Sequence, residues 1–482
     1  MKVVILGGGI GGLSTAYYLQ KLTQHKIIVV EASNRLGGWI RSHKLPDGLI
    51  LEEGPRTLRP RGEPGLNTLA LVDDLKLSDK IRKIPSSHPA ARNRYVYVNG
   101  QLHALPTSLK ALFRKTPPFS KPLISAFFHD FKSKPKYVED DSIYSFVERR
   151  FGKEIADYAI SPLICGICGG NARNISVNFL LSHFFQCEQK YGSIVKNYLR
   201  PWNWTRKKSV SLSDTAQKAI KEKWSAYSFY DGLESLPQTL AERIQQDGVT
   251  IHKNCLPERI DFRKKLIYSD NGEMPFDLLV SAIPAHNLAK LLYKDYYFHL
   301  AKPLQGIAYT SIVTVNLVFH KPVLKIQGFG FLTPPSENLP ILGTIFDSCY
   351  APFKDWTVLT VMMGGHSFDK YFSENCSEET LVQIATQNVQ KILNIDCQPD
   401  MHQVAVLRNC IPQHLVGHQH RIANILTYIK QEELPLFLIG NAFKGTGIND
   451  VILSAKETAD QVLNYGKKDD EFGLPRYKID YL

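Results

Sequence analysis

No run of about 18 consecutive apolar residues occurs in this 482-residue chain, which excludes a spanning helix on hydropathy and leaves attachment to one face of a bilayer open. Cysteine is scarce. The eight present show no paired framework, so a reducing compartment or simply buried thiols are expected. Cys165-Gly166-Ile167-Cys168 is a lone C-x-x-C; with no second pair of ligands it predicts no metal site and reads as a packing or flexible loop. Acidic residues are the minority charge. Against 46 Asp and Glu stand 58 Lys and Arg, a net charge of +12 that suits an anionic partner such as nucleic acid, acidic lipid or a carboxylated small molecule. An arginine-rich helix, zinc spacing and an RNA-binding aromatic motif are all missing, so nucleic acid is the least supported of the three. The first apolar strand begins at Val3, so no cleavable leader is expected ahead of it, and an organelle address is expected inside the fold. The 44% hydrophobic content is enough for two or three cores.

What is present begins at once. Val3-Val4-Ile5-Leu6 runs into Gly7-Gly8-Gly9-Ile10-Gly11-Gly12-Leu13, with Gly7, Gly9 and Gly12 in G-x-G-x-x-G spacing. An apolar strand, a glycine turn and a helix over Leu13 to Lys21 form a dinucleotide cradle: missing side chains permit a tight turn and close approach of a pyrophosphate, which the helix N-terminus attracts. Ile27-Ile28-Val29-Val30 predicts the next parallel strand. It ends in Glu31, followed by Ala32, where a carboxylate can accept the ribose hydroxyls and disfavours a 2′-phosphate.

The acid continues as E-x-x-x-R-x-G-G through Arg35, Gly37, Gly38 and Trp39, a second glycine pair beside a basic residue that can face the diphosphate. This resembles the FAD-binding signature of the amine oxidase and protoporphyrinogen oxidase superfamily, and nicotinamide dehydrogenases lack it. A C-terminal segment of the kind that closes the FAD site there is also present. Leu436 to Asn441 reads as a strand, and Thr446-Gly447-Ile448 opens a helix over Val451 to Leu463, whose N-terminus can stabilise negative charge on the reduced flavin. No cysteine or histidine lies between Leu436 and Ile452, so noncovalent FAD is expected.

Cofactor segments at both ends imply a discontinuous domain. Asp231-Gly232-Leu233-Glu234-Ser235-Leu236-Pro237 starts a helix, and Leu278-Leu279-Val280-Ser281-Ala282-Ile283-Pro284 is a strand ended by proline; both phrases resemble the superfamily pattern. Residues 307–361 alternate with period two and predict an antiparallel sheet, clearest at Ile312 to Phe319. Residues 92–209 carry helical patterns at Ile143 to Arg150, Ala156 to Ile164 and Val177 to Phe185, with a basic, aromatic stretch from Arg114 to Tyr137. That stretch is either a solvated cap or a module resting on anionic lipid. The expected fold is α/β, α+β overall. A Rossmann-like doubly wound FAD domain (1–60, 210–285, 405–482) accompanies an antiparallel-sheet substrate domain (61–91, 286–404) and a helical membrane-associating module (92–209).

Phrases along the whole chain narrow the resemblance to the mitochondrial-type protoporphyrinogen oxidases: Arg35 to Ser42, Glu53-Gly54-Pro55-Arg56, His88 to Tyr95, Leu102-His103-Ala104-Leu105-Pro106, Pro118 to Leu123, Gln327-Gly328-Phe329-Gly330 and Asn409 to Gln413. The family implies FAD, molecular oxygen as oxidant, protoporphyrinogen IX as substrate in heme biosynthesis, and peripheral attachment to the outer, intermembrane-space face of the mitochondrial inner membrane. A homodimer and a hand-over to ferrochelatase are left open. By resemblance Arg94 anchors a propionate, and Phe329 and Leu332 sandwich the macrocycle, with Ile345 and Met362 as further walls. Gly166 and Gly169 belong to a loop near the substrate that leaves room for it. Gly54, Pro55, Arg56 and Thr57 lie next to the flavin, and Pro257 joins the cofactor-binding set.

Trp39 departs from ordinary amine oxidases, which usually have arginine there. Cys165 and Gly169 stand where vertebrate relatives have arginine and alanine, which puts the electrostatic help of that arginine in doubt. No catalytic acid or base is assigned; His88, His103 and His366 read as structural. Two other readings stay open: a flavin amine or polyene oxidase of the same superfamily, and a non-enzymatic binding protein of the GDP-dissociation-inhibitor kind.

Overall fold

The computed structural model describes residues 1–199, 212–292, 296–373 and 376–465. Residues 200–211, at the end of the expected helical module, and 466–482, at the end of the expected FAD domain, lie outside the described residues.

A five-stranded parallel sheet organises the first layer. Its order is Leu436–Leu438, Leu278–Ser281, Lys2–Leu6, Lys26–Val30, Thr250–His252, so strands far apart in sequence are neighbours. They are buried on both faces, which is why they read as continuous apolar runs rather than alternating ones. Helices Ile10–Leu22, Ser235–Gln246 and Ile448–Asn464 cover one face around Val3, Ile5, Val29 and Val280. The other face, with Val4, Leu6, Ile28 and Leu279, is covered by the three-stranded sheet Pro257–Asp261, Leu266–Ser269, Gly272–Pro275 and by helices Ala285–Leu292, Phe298–Gln305 and His418–Gln431.

The second layer is a seven-stranded sheet ordered Met401–Pro412, Tyr309–Phe319, Thr357–Gly364, Ile341–Ile345, Gly330–Leu332, Tyr95–Val98, Gln101–Ala104. Pairing is antiparallel except where Phe331 meets Tyr95. Period-two alternation divides this sheet cleanly. Val313, Val315, Phe331, Val361 and Met363 face helix Glu378–Leu393. Leu332, Gly343, Ile345, Thr360, Met362, Thr314 and Asn316 share the opposite face, as the register Leu332↔Gly343↔Met362 and Ile345↔Thr360 requires.

Four boundaries expected from sequence differ. The cut between 404 and 405 runs through the strand Met401–Pro412, which pairs along Tyr309–Phe319. The hairpin Tyr95–Val98 and Gln101–Ala104 extends the seven-stranded sheet instead of joining the helical module. Helix Gly62–Asp74 and helices Ala285–Leu292 and Phe298–Gln305 pack on the parallel sheet rather than with the substrate domain. In each case long-range apolar burial, invisible to local periodicity, decides the partner.

The helical module has its own core of Ile143, Phe146, Val147, Ile164, Val177 and Phe185. Arg150 is fully buried there, paired with Asp130 at 2.5 Å and with Glu188 at 3.5 Å. The helix expected over Val177 to Phe185 breaks at Leu181, giving a 3₁₀ turn Val177–Phe179 and a helix Ser182–Tyr191. No helix among the described residues is long and apolar enough to cross a membrane.

Candidate active site

The glycine turn is built for a dinucleotide. Gly7 has φ +101°, left-handed backbone that favours glycine, and a Cβ on Gly12 would overlap the Gly7 carbonyl oxygen. Gly9 begins helix Ile10–Leu22, which has no side-chain cap. Gly11 packs against Val451 of the C-terminal helix, 3.1 Å from where its Cβ would stand. Glu31 ends the second strand; its Oε2 accepts from Gly8 N at 2.8 Å and its Oε1 from Ser33 N and Oγ. A carboxylate offers about four acceptor positions, so one remains for a ribose hydroxyl. Ala32 is exposed in the turn that follows. Cys255 N donates to Glu31 O, which brings Pro257, two residues further on, to the same edge.

Gly9 bridges Gly37, and Gly38, at φ +60°, abuts Gly9. A Cβ on Gly54 would stand 2.5 Å from Trp39 O, so Gly54 lets the Trp39 turn lie against the segment holding Pro55 and Thr57. Asn449 Nδ2 donates to Arg59 O at 2.8 Å and ties the C-terminal helix to that segment. The glycine turn, residues 37–39, 54–59 and 446–449 thus converge. A flavin dinucleotide fits this cradle: side chains are missing where a phosphate must approach and the helix end is uncapped.

Three of the expected cofactor-side positions are also tied into the fold. Arg35 does not offer a free guanidinium to a diphosphate: it donates to the carbonyls of Leu36, Gly38 and Ile40 and pairs with Glu234 at 3.0 Å, fastening its own loop. Arg56, 5% exposed, pairs with Asp347 at 2.8 Å and donates to Thr360 Oγ1 at 2.6 Å. Burial opposes its charge, but Asp347 and Tyr350 more than offset this and hold its pKa above the ordinary arginine value. At the C-terminal helix, Asp450 accepts from Thr446 N and Gly447 N, placing a carboxylate where a bare helix N-terminus was expected beside Ile448.

Phe329, Ile345 and Met362 cluster with Tyr350, Ala90 and Ala226, and the Phe329 and Tyr350 rings stack with centroids 6.2 Å apart. Leu332 lies further along the same face, and a Cβ on Gly166 would stand 2.6 Å from its Cδ2. A Cβ on Gly169, at φ +61°, would stand 2.8 Å from Ile312 Cδ1 and 3.1 Å from Gly365 Cα. Both glycines let the end of helix Ser161–Cys168 lie close against the sheet beside Leu332 and Ile312. Cys165 is a buried thiol pushed up to about 12 by burial, and it donates to Gly170 O at 3.4 Å.

Arg94 precedes the strand Tyr95–Val98. Tyr95 packs toward the helix-covered face, so Arg94, one residue earlier, belongs to the face of Leu332 and Ile345. Asn93 O accepts from Phe329 N at 3.0 Å, fixing the two side by side. Arg94 forms no ion pair among the described residues. Partial burial, then repulsion from Arg59 and Arg61, draw its pKa below the ordinary arginine value.

Sequence reasoning missed the polar cluster around Arg56. Asn316 Nδ2 donates to Glu52 O, Thr314 Oγ1 to Glu53 O, and Tyr350 OH to Asp347 Oδ1 at 2.7 Å. Polar residues at inward positions of apolar strands were its one signal. A cavity of about 60 Å³ lies beside it, lined by Glu52, Arg56, Arg82, Asp347 and Tyr350. Burial pushes Glu52 up to about 7, although Leu233 N and Ser42 Oγ donate to it. Also missed were His414 and His418, stacked 4.1 Å apart and donating to Asn441 O and Ala442 O. Burial lowers them to about 4 and about 3, so they are neutral supports for the Asn441 loop. His88 Nδ1 accepts from Ala90 N and caps a short helix, while His103 contacts Val98 O. Among the described residues no cluster of three or more His, Cys, Asp or Glu is arranged to hold a metal.

The sequence matches the flavin containing amine oxidoreductase family over residues 10–463. It is 38% identical to protoporphyrinogen oxidase of Bos taurus over 472 residues, covering 96% of this chain and 98% of that one. Identity to the Homo sapiens protoporphyrinogen oxidase is 37%, with the same coverage. A crystal structure from Exiguobacterium sp. 255-15, 24% identical, shares the fold with a TM-score of 0.78 over 96% of this chain and 98% of that one. Identity of this order along nearly the full length, on a fold with a glycine cradle and a facing sheet, has one reading: the chain belongs to the flavin containing amine oxidoreductases and, among them, to the protoporphyrinogen oxidases.

Proposed function

We propose that the chain oxidises protoporphyrinogen IX to protoporphyrin IX with noncovalently bound FAD and molecular oxygen, releasing hydrogen peroxide. The observation that carries this reading is Arg94. It is a guanidinium with no ion-pair partner among the described residues, on the same sheet face as Phe329, Ile345 and Met362. An apolar wall with one cationic edge suits a large apolar ring carrying carboxylates.

Bound flavin accepts two electrons at a time, so the six-electron oxidation takes three rounds. The chain's own residues bind and orient. Arg94 fixes a propionate through a bidentate pair, which sets the ring's rotation in its plane. Phe329, held by its stack on Tyr350, and Ile345, Leu332 and Met362 present the apolar wall that excludes water. Glu31 and the glycine turn hold the cofactor's ribose and diphosphate ends. No side chain is assigned as proton acceptor; the released protons pass through water or oxygen-derived species and leave in the hydrogen peroxide.

The test is anaerobic mixing of purified protein with protoporphyrinogen IX. Flavin bands should bleach, and air should restore them with about three peroxides per porphyrin. Acid precipitation should leave the yellow colour in solution. A colourless protein, or a primary amine oxidised faster than the porphyrinogen, would overturn the reading.

Attachment to an anionic membrane, which the family resemblance puts on the outer face of the mitochondrial inner membrane, is part of the proposal. Its support is a patch of exposed apolar side chains, Leu109, Phe113, Phe127, Phe128 and Phe131, of which Leu109 is 80% and Phe128 67% exposed. Lys110, Arg114, Lys115, Lys121, Lys132 and Lys134 surround it in sequence. Basic residues at a lipid surface contribute about 1 kcal/mol each. Cardiolipin-rich vesicles should therefore bind the protein more than neutral ones and release it in salt; flotation unchanged by reversing these charges would refute this.

A further inference from the structure

The loop between Ile439 and Ile448 borders the glycine cradle, since Ile439 and Val451 stand 3.9 and 3.1 Å from where a Cβ on Gly11 would lie. Glycines sit near both of its ends. Gly440 has φ +117° with open space around it, and Gly445 has φ +73°, so the loop's own backbone constrains its position weakly. Its middle is held instead. His414 and His418 donate from Nε2 to Asn441 O at 2.7 Å and to Ala442 O at 3.0 Å. Residues 413–418, which carry both histidines, run along the helical module. Leu415 bridges Ile175, Ser176 N donates to His414 O at 2.8 Å, and Val416 N donates to Asn174 O at 3.0 Å. Phe179 of the module's core meets the His414 ring edge-on, with centroids 5.1 Å apart. Asp140 completes this attachment: one carboxylate oxygen accepts from Gly417 N at 2.8 Å, and the other from Ser176 Oγ at 2.7 Å and Asn178 Nδ2 at 3.1 Å. Gly417, at φ +86°, immediately precedes helix His418–Gln431, so Asp140 fixes where that helix begins and, with it, His418.

We propose that Asp140 is a positioning residue of the flavin site: acting through Gly417 and His418, it makes the helical module hold the loop that closes the cradle. This rests on the reading of that cradle as the FAD site. Flavin retention then depends on a side chain that lies in none of the cofactor segments. The route is a series of hydrogen bonds, Asp140 to Gly417 and His418 to Ala442, joined by the first residue of one helix, so breaking either link frees the same loop. The His414 bond to Asn441 runs beside it and keeps the loop from being lost altogether.

The experiment measures the FAD dissociation constant of the full chain by equilibrium dialysis, together with the visible flavin spectrum and the thermal midpoint. Asp140→Ala should weaken FAD by about tenfold, as loss of one hydrogen bond to a charged group implies, and should shift the flavin bands. Asp140→Asn keeps an acceptor for Gly417 N and should recover most of the affinity. His418→Phe keeps a ring against His414 but has no N–H to donate, and should match Asp140→Ala; His418→Gln, which restores a donor, should recover part. The double variant Asp140→Ala/His418→Phe should be weakened about tenfold, like either single variant, because both changes break one route. A double variant weakened about a hundredfold would overturn the proposal, since the two residues would then act independently. Wild-type FAD affinity and spectrum in Asp140→Ala, with only a lowered thermal midpoint, would overturn it too and leave Asp140 a support of the module alone. If Asp140→Ala does not fold, His418→Phe decides: wild-type FAD affinity there breaks the route at its last link. Failure of the underlying reading looks different, because wild type itself would then bind no FAD.

Discussion

Replacing Arg56 by alanine separates two roles that the same residue could have. Beside the flavin, its loss would release the cofactor; as the centre of a buried tie, its loss would destabilise the fold. Geometry favours the tie. Arg56 and Asp347 have side chains 5% and 13% exposed and stand 2.8 Å apart, and Tyr350 OH and Thr360 Oγ1 lie against the same carboxylate. Removing one partner of such a pair leaves an uncompensated buried charge and costs about 3 to 5 kcal/mol, even where the intact pair adds little net stability. Arg56→Ala should therefore lower the urea midpoint substantially, and Asp347→Asn in the same background should recover part of the loss, because no orphaned carboxylate remains. Urea unfolding followed by tryptophan fluorescence on both variants and the double variant gives the coupling directly. If Arg56→Ala unfolds at the wild-type midpoint while losing its flavin, the tie is not structural and the residue serves the cofactor.

Gly12→Ala should yield a colourless or flavin-poor protein, since the added methyl would overlap the Gly7 carbonyl; a normal flavin content per chain would refute the turn geometry. Arg94→Ala should lower kcat/KM for the porphyrinogen by about 2 kcal/mol, roughly thirtyfold, at unchanged flavin spectrum. Arg94→Lys should recover only part of that, and an unchanged kcat/KM in Arg94→Ala would move the anchor elsewhere. Glu52, raised from 4.5 to about 7, binds its proton more tightly folded than unfolded, so its contribution to stability is present at low pH and is lost as pH rises through that window. Glu52→Gln should flatten the fall in stability between about pH 4.5 and 7, and an unchanged pH profile would refute the shift.

Local chemistry made the cofactor half legible. A glycine whose Cβ would overlap a carbonyl five residues earlier, a helix start and an acid at the second strand's end all lie within 25 residues, where chain geometry leaves few alternatives. Period-two alternation likewise predicted the sheet strand at Ile312 to Phe319, because one face packs on a helix and the other on the site. Which strands are neighbours was not legible. Leu436–Leu438 pairs with Leu278–Ser281, and Tyr95 with Phe331, through contacts far apart in sequence that carry no local signature. Long-range pairing also decided the arginines. From sequence Arg35 and Arg56 were cations beside a diphosphate and a flavin; the tertiary structure gives them Glu234 and Asp347, 199 and 291 residues away, because a buried guanidinium takes the nearest carboxylate that folding supplies. The same folding left Arg94 without an ion pair among the described residues. Sequence determined which residues can carry charge or admit a phosphate, since those are properties of a side chain and a turn; only the tertiary structure decided which charges are already neutralised and which still face a ligand, since neutralisation depends on distance in space.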